Sequence, residues 1–538
     1  EVLLDAGRAV AATAPLVAAD HLCRAVELLP AGADRRGEVL AAQARALHLG
    51  ARPREAAAAG RAALAELPAG TTRAAIAATV ANDLYVGGDV DGALDVIAAE
   101  RERGEARCPL LSMQVNLWLQ ADHPDRAADG YAAARAELDG PDVTPAAALS
   151  ALAHLVQYAN HVGRVEEAAA LLDRVRALTE RSSPTVALAA HELTAFADWR
   201  PGLLHRIDDH LAAARRLRPD DVTLSIGGSV EAGQVRRDWL AGEWDAALDL
   251  VRTASFDLDQ RGTTVGAQML LGGAAEILID RGDIDQATAI AGRLVTPLMA
   301  LRRIAVLVRA RLHRALDEPA EATAVLQAEL DASPPGGSLW RHAEMRRELV
   351  ELHLDAGRPD AARAEAAAIE ELAVRTGWVE CQIPALRARA LVDQDVEVAR
   401  AYQDLAEAEG WAVEAAHAAL LRGELGDDPA THLTAAYRAF DAFGAARWRR
   451  RSAAALRAGG LTVPRRAAQP RSELSDTDAQ LVRLVRDGLT NRQIAAAMHY
   501  SPKTIEVYLS RIYAKTGCAS RLELIRALDR GTLTTDPG

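Results

Sequence analysis

Of the 62 basic residues in this 538-residue chain, all but two are arginine. The two lysines, Lys503 and Lys515, share one short run, Ser501-Pro502-Lys503-Thr504-Ile505-Glu506-Val507-Tyr508-Leu509-Ser510-Arg511-Ile512-Tyr513-Ala514-Lys515-Thr516-Gly517. At 100° per residue, Ile505, Leu509, Ile512 and Thr516 form one apolar stripe of a helix, while Lys503, Glu506, Val507, Ser510, Arg511 and Ala514 lie away from it. Ammonium and guanidinium groups suit phosphates. A carboxylate, a hydroxyl and small apolar groups suit base edges. Twelve residues put the lysines about 18 Å apart along a helix, too far for one patch. They would be separate anchors, with Glu506 and Ser510 between them as readers. An ordinary solvated helix face would carry a similar mixture, so the neighbouring elements must decide.

Those neighbours are four helix starts in about sixty residues. Ser475 with Asp478, Thr490 with Gln493 after Gly488, Ser501 with Pro502, and Ser520 with Glu523 after Gly517 are capping patterns. They predict helices over 476–487, 491–498, 502–516 and 521–529. A short helix, the three-residue turn His499-Tyr500-Ser501 and a longer helix outline a helix-turn-helix.

The spaced residues Leu474-Ser475, Asp478, Leu484-Val485, Gly488-Leu489-Thr490-Asn491-Arg492-Gln493-Ile494-Ala495, Met498 to Glu506, Leu509 to Tyr513, Lys515-Thr516-Gly517 and Ser520-Arg521 resemble the LuxR-type DNA-binding domain. The Gly-Leu-Thr-Asn-Arg-Gln-Ile-Ala run favours it over region four of sigma factors. The resemblance implies that the third helix enters the major groove, with Glu506, Val507 and Ser510 toward bases. Thr490, Asn491, Arg492, Lys503, Thr504, Arg511 and Lys515 would contact phosphates or support such contacts. The fourth helix would pair copies on two half-sites. The chain departs from the family at Glu506, where lysine is common, at Tyr508 for histidine, at His499 for glycine, and at Thr516 and Cys518. A carboxylate at 506 loses a phosphate or guanine contact and would accept from cytosine N4.

Upstream, a different pattern recurs: an apolar helix, a small or polar turn, and an alanine five residues on. Its copies are Ala51/Ala56, Gly88/Ala93, Asp122/Ala127, Gly163/Ala168, Gly242/Ala247, Gly282/Ala287, Asp317/Ala322 and Gly357/Ala362, with a degenerate copy expected near residue 202. The 34- to 41-residue spacing is that of stacked helical hairpins. These units resemble tetratricopeptide repeats, though they run longer. The expected fold is all-α: a tetratricopeptide-like superhelix over 1–458, a Pro/Arg linker over 459–473, a four-helix helix-turn-helix domain over 474–530 and a tail over 531–538. Such arrays offer a groove to a peptide, a partner domain or a small ligand. Trp118, Trp199, Trp239, Trp244, Trp340 and Trp378 are candidate groove residues, but core packing is the favoured reading for each, because tryptophan buries most of its area.

The formal charge of −13 argues against general coating of nucleic acid. It divides unevenly, since residues 471–538 carry 10 Lys+Arg against 8 Asp+Glu. The scattered Cys23, Cys108, Cys381 and Cys518 read as buried reduced thiols. No apolar run is long enough to span a membrane and no signal peptide is visible, which fits a cytoplasmic protein. Asp89-Val90-Asp91-Gly92 is better read as a repeat turn than as a calcium loop. No catalytic motif, metal set or cofactor motif emerges, so no enzyme is expected. Repeats followed by a LuxR-type domain resemble the large ATP-binding LuxR regulators, whose ATPase precedes the repeats. Neither lysine can serve a phosphate-binding GxxxxGK[ST] loop, and a first residue Glu1 suggests a missing upstream part.

The expected function is bacterial transcription regulation. The partners would be double-stranded promoter DNA, bound by a homodimer, RNA polymerase, and a protein or small-molecule signal at the repeats. The alternatives are a fragment of a signal-transducing ATPase regulator and a scaffold whose tail docks protein.

Overall fold

The computed structural model describes residues 2–11, 14–103, 108–140, 143–182, 187, 191, 203–217, 229–294, 298–333, 339, 341–465, 476–486, 488–498, 500, 502–516, 518 and 520–529. Among them there are helices and no strands, and no helix is long and apolar enough to cross a membrane. Contacts divide the chain into two units, Glu1–Val463 and Pro464–Gly538.

The first unit is a stack of helical hairpins, such as Thr71–Val86 with Val90–Glu102 and His342–Asp355 with Pro359–Thr376. All eight turn positions read from the sequence have positive φ, from 53° at Ala51 to 91° at Gly88. Each turn closes alike. At Gly88, the turn N–H bonds three residues back to Tyr85 O, and Asp89 N–H bonds five residues back to Leu84 O, both at 2.8 Å. This satisfies the carbonyls left open at a helix end. The alanine five residues on is buried in every copy, from Ala93 at 0% exposure to Ala168 at 2%, so it sets how closely the second helix approaches the first. A further positive φ, 54° at Gln394, again stands five residues before a fully buried alanine, Ala399, on a residue with no turn preference. The copy expected near residue 202 lies outside the described residues. Asp89 caps its helix by accepting from Gly92 N at 2.9 Å, the role of a repeat turn. Helix Ala446–Ala458 ends the array, although Leu461 and Val463 still pack on its core.

The apolar rows leave charged side chains inside. Glu351 is surrounded by Arg314, Arg347 and Arg387, with N···O distances of 2.8, 2.9 and 2.8 Å. Its neighbour Glu348 takes Arg311 and Arg314 at 2.8 Å and Arg347 at 2.5 Å. Burial alone would raise both carboxyls. The arginines win and hold both well below the ordinary range.

One reading changes. Cys108 and Cys381 are buried, but Cys23 is exposed and Cys518 half-buried. Helix Pro15–Glu27 turns Ala18, Ala19, Leu22 and Ala25 inward, which leaves Cys23 on its outer side. Trp244 and Trp378 are core residues, and Trp118 and Trp239 are half-buried. Trp199 and Trp340 lie outside the described residues.

Candidate nucleic-acid interface

The second unit contains helices Asp476–Arg486, Asn491–Ala497, Pro502–Thr516 and Arg521–Asp529. Leu481, Val482, Val485, Ile494, Ala495, Ile505, Leu509, Ile512 and Leu524 close one core between them. In the third helix, Ile505, Leu509 and Ile512 face inward as their spacing requires. Tyr508 joins them at 5% exposure and meets Tyr500 edge-on, with centroids 5.4 Å apart. At this position a bulky ring fills core space between the first turn and the preceding segment.

The turn is built as its residues dictate. Gly488 has φ 82°. Thr490 and Gln493 form a full capping box: Thr490 Oγ1 accepts from Gln493 N at 3.4 Å, and Gln493 Oε1 accepts from Thr490 N at 2.8 Å. Ser520 accepts from Glu523 N at 3.3 Å. Ser475, Ser501, His499 and Gly517 lie outside the described residues.

The candidate residues separate into braces and an outward face. Asp478, fully buried, accepts a charged hydrogen bond from Arg511, which ties the first helix to the third. The Arg511 guanidinium also lies 5.1 Å from the Tyr508 ring centroid. Asn491 Oδ1 accepts from Arg521 at 3.2 Å, and Arg521 also donates to Leu489 O, fastening the fourth helix to the turn. The Thr490 side chain is committed to its cap, and Thr504 is half-buried. Sequence reasoning missed Arg521; the signal was a cation just after the Ser520 cap, within reach of the preceding turn's carbonyls.

On the outward face, Lys503 is 85% exposed and its Nζ lies 3.2 Å from Glu506 Oε2. Glu506 is exposed, Val507 is 55% exposed, and Ser510 donates back to Glu506 O at 2.9 Å while facing outward. Arg492 is exposed at the start of the second helix. Lys515 lies in the last turn of the third helix; its side chain is outside the described set. Together these place a cation, a carboxylate, a methyl pair and a hydroxyl on one solvent face of a helix whose other side is core.

A family model described as bacterial regulatory proteins, luxR family, matches residues 472–528. An HTH-type transcriptional regulator of Mycobacterium bovis is 41% identical over 69 residues, 13% of this chain and 8% of that protein. The DNA-binding transcriptional activator DevR/DosR of Mycobacterium tuberculosis is 41% identical over 73 residues, 14% of this chain and 33% of that protein. The chain therefore spans only a small part of these relatives. Over 81% of this chain, a crystal structure of the APC/C hetero-tetramer Cut9-Hcn1 aligns at 12% identity with a TM-score of 0.30. At that score the helical-hairpin fold rests on the turns and alanines above. Residues 472–528, with their capped turn, braced third helix and matching sequence, form a helix-turn-helix domain of the luxR family.

Proposed function

We propose that this chain is a bacterial transcription regulator that binds double-stranded promoter DNA through helix Pro502–Thr516. The outward face of Lys503, Glu506, Val507 and Ser510 carries this reading. In it, the helix lies in the major groove, Glu506, Val507 and Ser510 meet base edges, and Lys503 and Lys515 neutralise phosphates at the two ends. Arg492, Asn491, Thr490 and Thr504 flank the backbone, with Thr490 presenting its cap and Asn491 the turn. Arg511 is a brace in this account, since its guanidinium is already engaged by Asp478. The fourth helix pairs two copies on adjacent half-sites, RNA polymerase is the downstream partner, and the repeats receive the signal. Selection of bound fragments from a genomic DNA pool tests the proposal. One enriched motif is expected, with affinity falling steeply as salt rises. Failure to enrich any motif, with no saturable DNA binding, would overturn it.

A further inference from the structure

Two adjoining cavities in the repeat unit, of about 130 and about 40 Å³, share Arg314, Arg387, His417 and Trp448 as walls. The larger is bordered by Leu354, Leu391, Leu420 and Leu421 and, beside them, by Glu351, Asp355, Glu424 and Arg451. The smaller is bordered by Trp239, Arg447 and Asp280.

The acceptors here are occupied. Glu351 and Glu348 each hold three arginines. Glu414 takes Arg387 at 3.3 Å and the Tyr402 hydroxyl, and Asp280 accepts from Trp448 Nε1 at 2.9 Å. Glu424 pairs with Arg451 at 2.7 Å. The donors are not all used. Arg447 forms no ion pair or hydrogen bond among the described residues, and its guanidinium lies 5.3 Å from the Trp448 ring centroid. Arg387 and Arg451 approach the same ring to 5.8 Å, so three guanidinium groups surround one indole. Trp239 Nε1–H is buried without an acceptor. His417, 8% exposed, packs edge-on to Trp448 at 4.3 Å and makes no hydrogen bond among the described residues. Burial, then the charge of Arg387, keeps its imidazole neutral. A buried donor without an acceptor is costly, and the half-buried Arg447 guanidinium is left without a direct hydrogen-bond acceptor among the described residues beside it.

We propose that this double cavity binds a small organic monocarboxylate. The carboxylate accepts from Arg447 and Trp239, and the apolar body fills the leucine-lined lobe. A cavity of about 150 Å³ takes benzene, so the larger lobe, at about 130 Å³, takes a body of no more than about six non-hydrogen atoms against its leucine side. This names a ligand class for the signal-receiving role proposed for the repeats. It is read on the protein alone, so failure of DNA recognition leaves it standing, and the converse holds too.

The test is titration calorimetry and thermal unfolding of the full chain with benzoate and hexanoate. Benzyl alcohol, hexan-1-ol and benzylamine serve as neutral and cationic counterparts. The carboxylates should bind saturably and raise the melting temperature, while the counterparts do neither. Arg447→Ala should weaken benzoate at least tenfold and Trp239→Phe severalfold, with the unliganded melting temperature within a few degrees of the parent in at least one of the two. The proposal is overturned if the alcohols stabilise as well as the acids, if no probe binds, or if both variants bind benzoate as the parent does, which would make this a water-filled gap in an ion-pair network.

Discussion

The repeat unit and the C-terminal domain use arginine in opposite ways. In the repeats, Arg314, Arg347 and Arg387 are turned inward and knit three helices together through Glu351 and Glu348. In the C-terminal domain Arg511 is drawn inward to Asp478 and Arg521 to the Leu489 carbonyl, while Lys503 and Arg492 face solvent. Total charge follows the same division: residues 1–470 carry 52 Lys+Arg against 67 Asp+Glu, and residues 471–538 carry 10 against 8. Charge already paired inside a stack is costly to break. A cation on an otherwise satisfied helix face is available for a ligand.

Acid should separate the units most strongly. Burial pushes His154 and His161 down to about 4, against 6.5 when free. The unfolded chain therefore takes up protons first. Stability that is complete above pH 6.5 is lost as pH falls toward 4, at about 1.4 kcal/mol per unit for each imidazole. All eight tryptophans lie in the repeats and none in the C-terminal domain, so tryptophan fluorescence follows the array alone. Its melting temperature should drop through this window; a flat profile between pH 6.5 and 4.5 would refute the neutral buried histidines.

Next in size are the two buried ionic centres. Removing Glu351 takes one of at least two carboxylates from each of Arg314, Arg347 and Arg387, and removing Asp478 takes the buried carboxylate from Arg511. Each should cost about 3–5 kcal/mol. The consequences differ, because a domain of about 60 residues holds only a few kcal/mol in reserve. Asp478→Ala should abolish amide protection across 476–529 in hydrogen exchange of the full chain, while Glu351→Ala lowers the array's fluorescence midpoint and leaves that segment protected. Overpacking a hairpin is milder: Ala322→Leu, at a fully buried contact, should cost about 1–3 kcal/mol in denaturant melts. The smallest stability effect belongs to Lys503→Ala, within about 0.5 kcal/mol for an exposed side chain. That substitution should still reduce the log–log salt slope of DNA binding by about one. Loss of folding in this variant would mean that Lys503 is a structural residue.

Both folds were legible in the sequence where a local rule fixed the outcome. A turn needing positive φ wrote itself as Gly88, Gly163 or Asp122, and the close helix approach wrote itself as alanine five residues later. The capping box at Thr490 and Gln493 was equally direct. Gln394 was missed because nothing in its side chain favours the left-handed region; it is exposed, and its Nε2 donates back to Leu391 O. Trp448 was not among the candidate groove residues, and neither the Arg314–Glu351–Arg387 centre nor the cavity beside it could be read. Their partners come from hairpins tens of residues apart, and helical spacing does not reveal which faces converge. In the C-terminal domain the outward face was legible from the 100° rule. The role of Arg511 was not: the same wheel that placed it away from the core stripe could not say that Asp478 would reach it.

The central claim is that the face between Lys503 and Ser510 reads base sequence, and Glu506 tests it most directly. Bound DNA would be selected in parallel with the parent chain and with Glu506→Gln, at matched salt. The account predicts one motif for the parent, and for the variant the same motif with altered preference at a single base pair in each half-site. Identical motifs for both, or no motif for either, would contradict it.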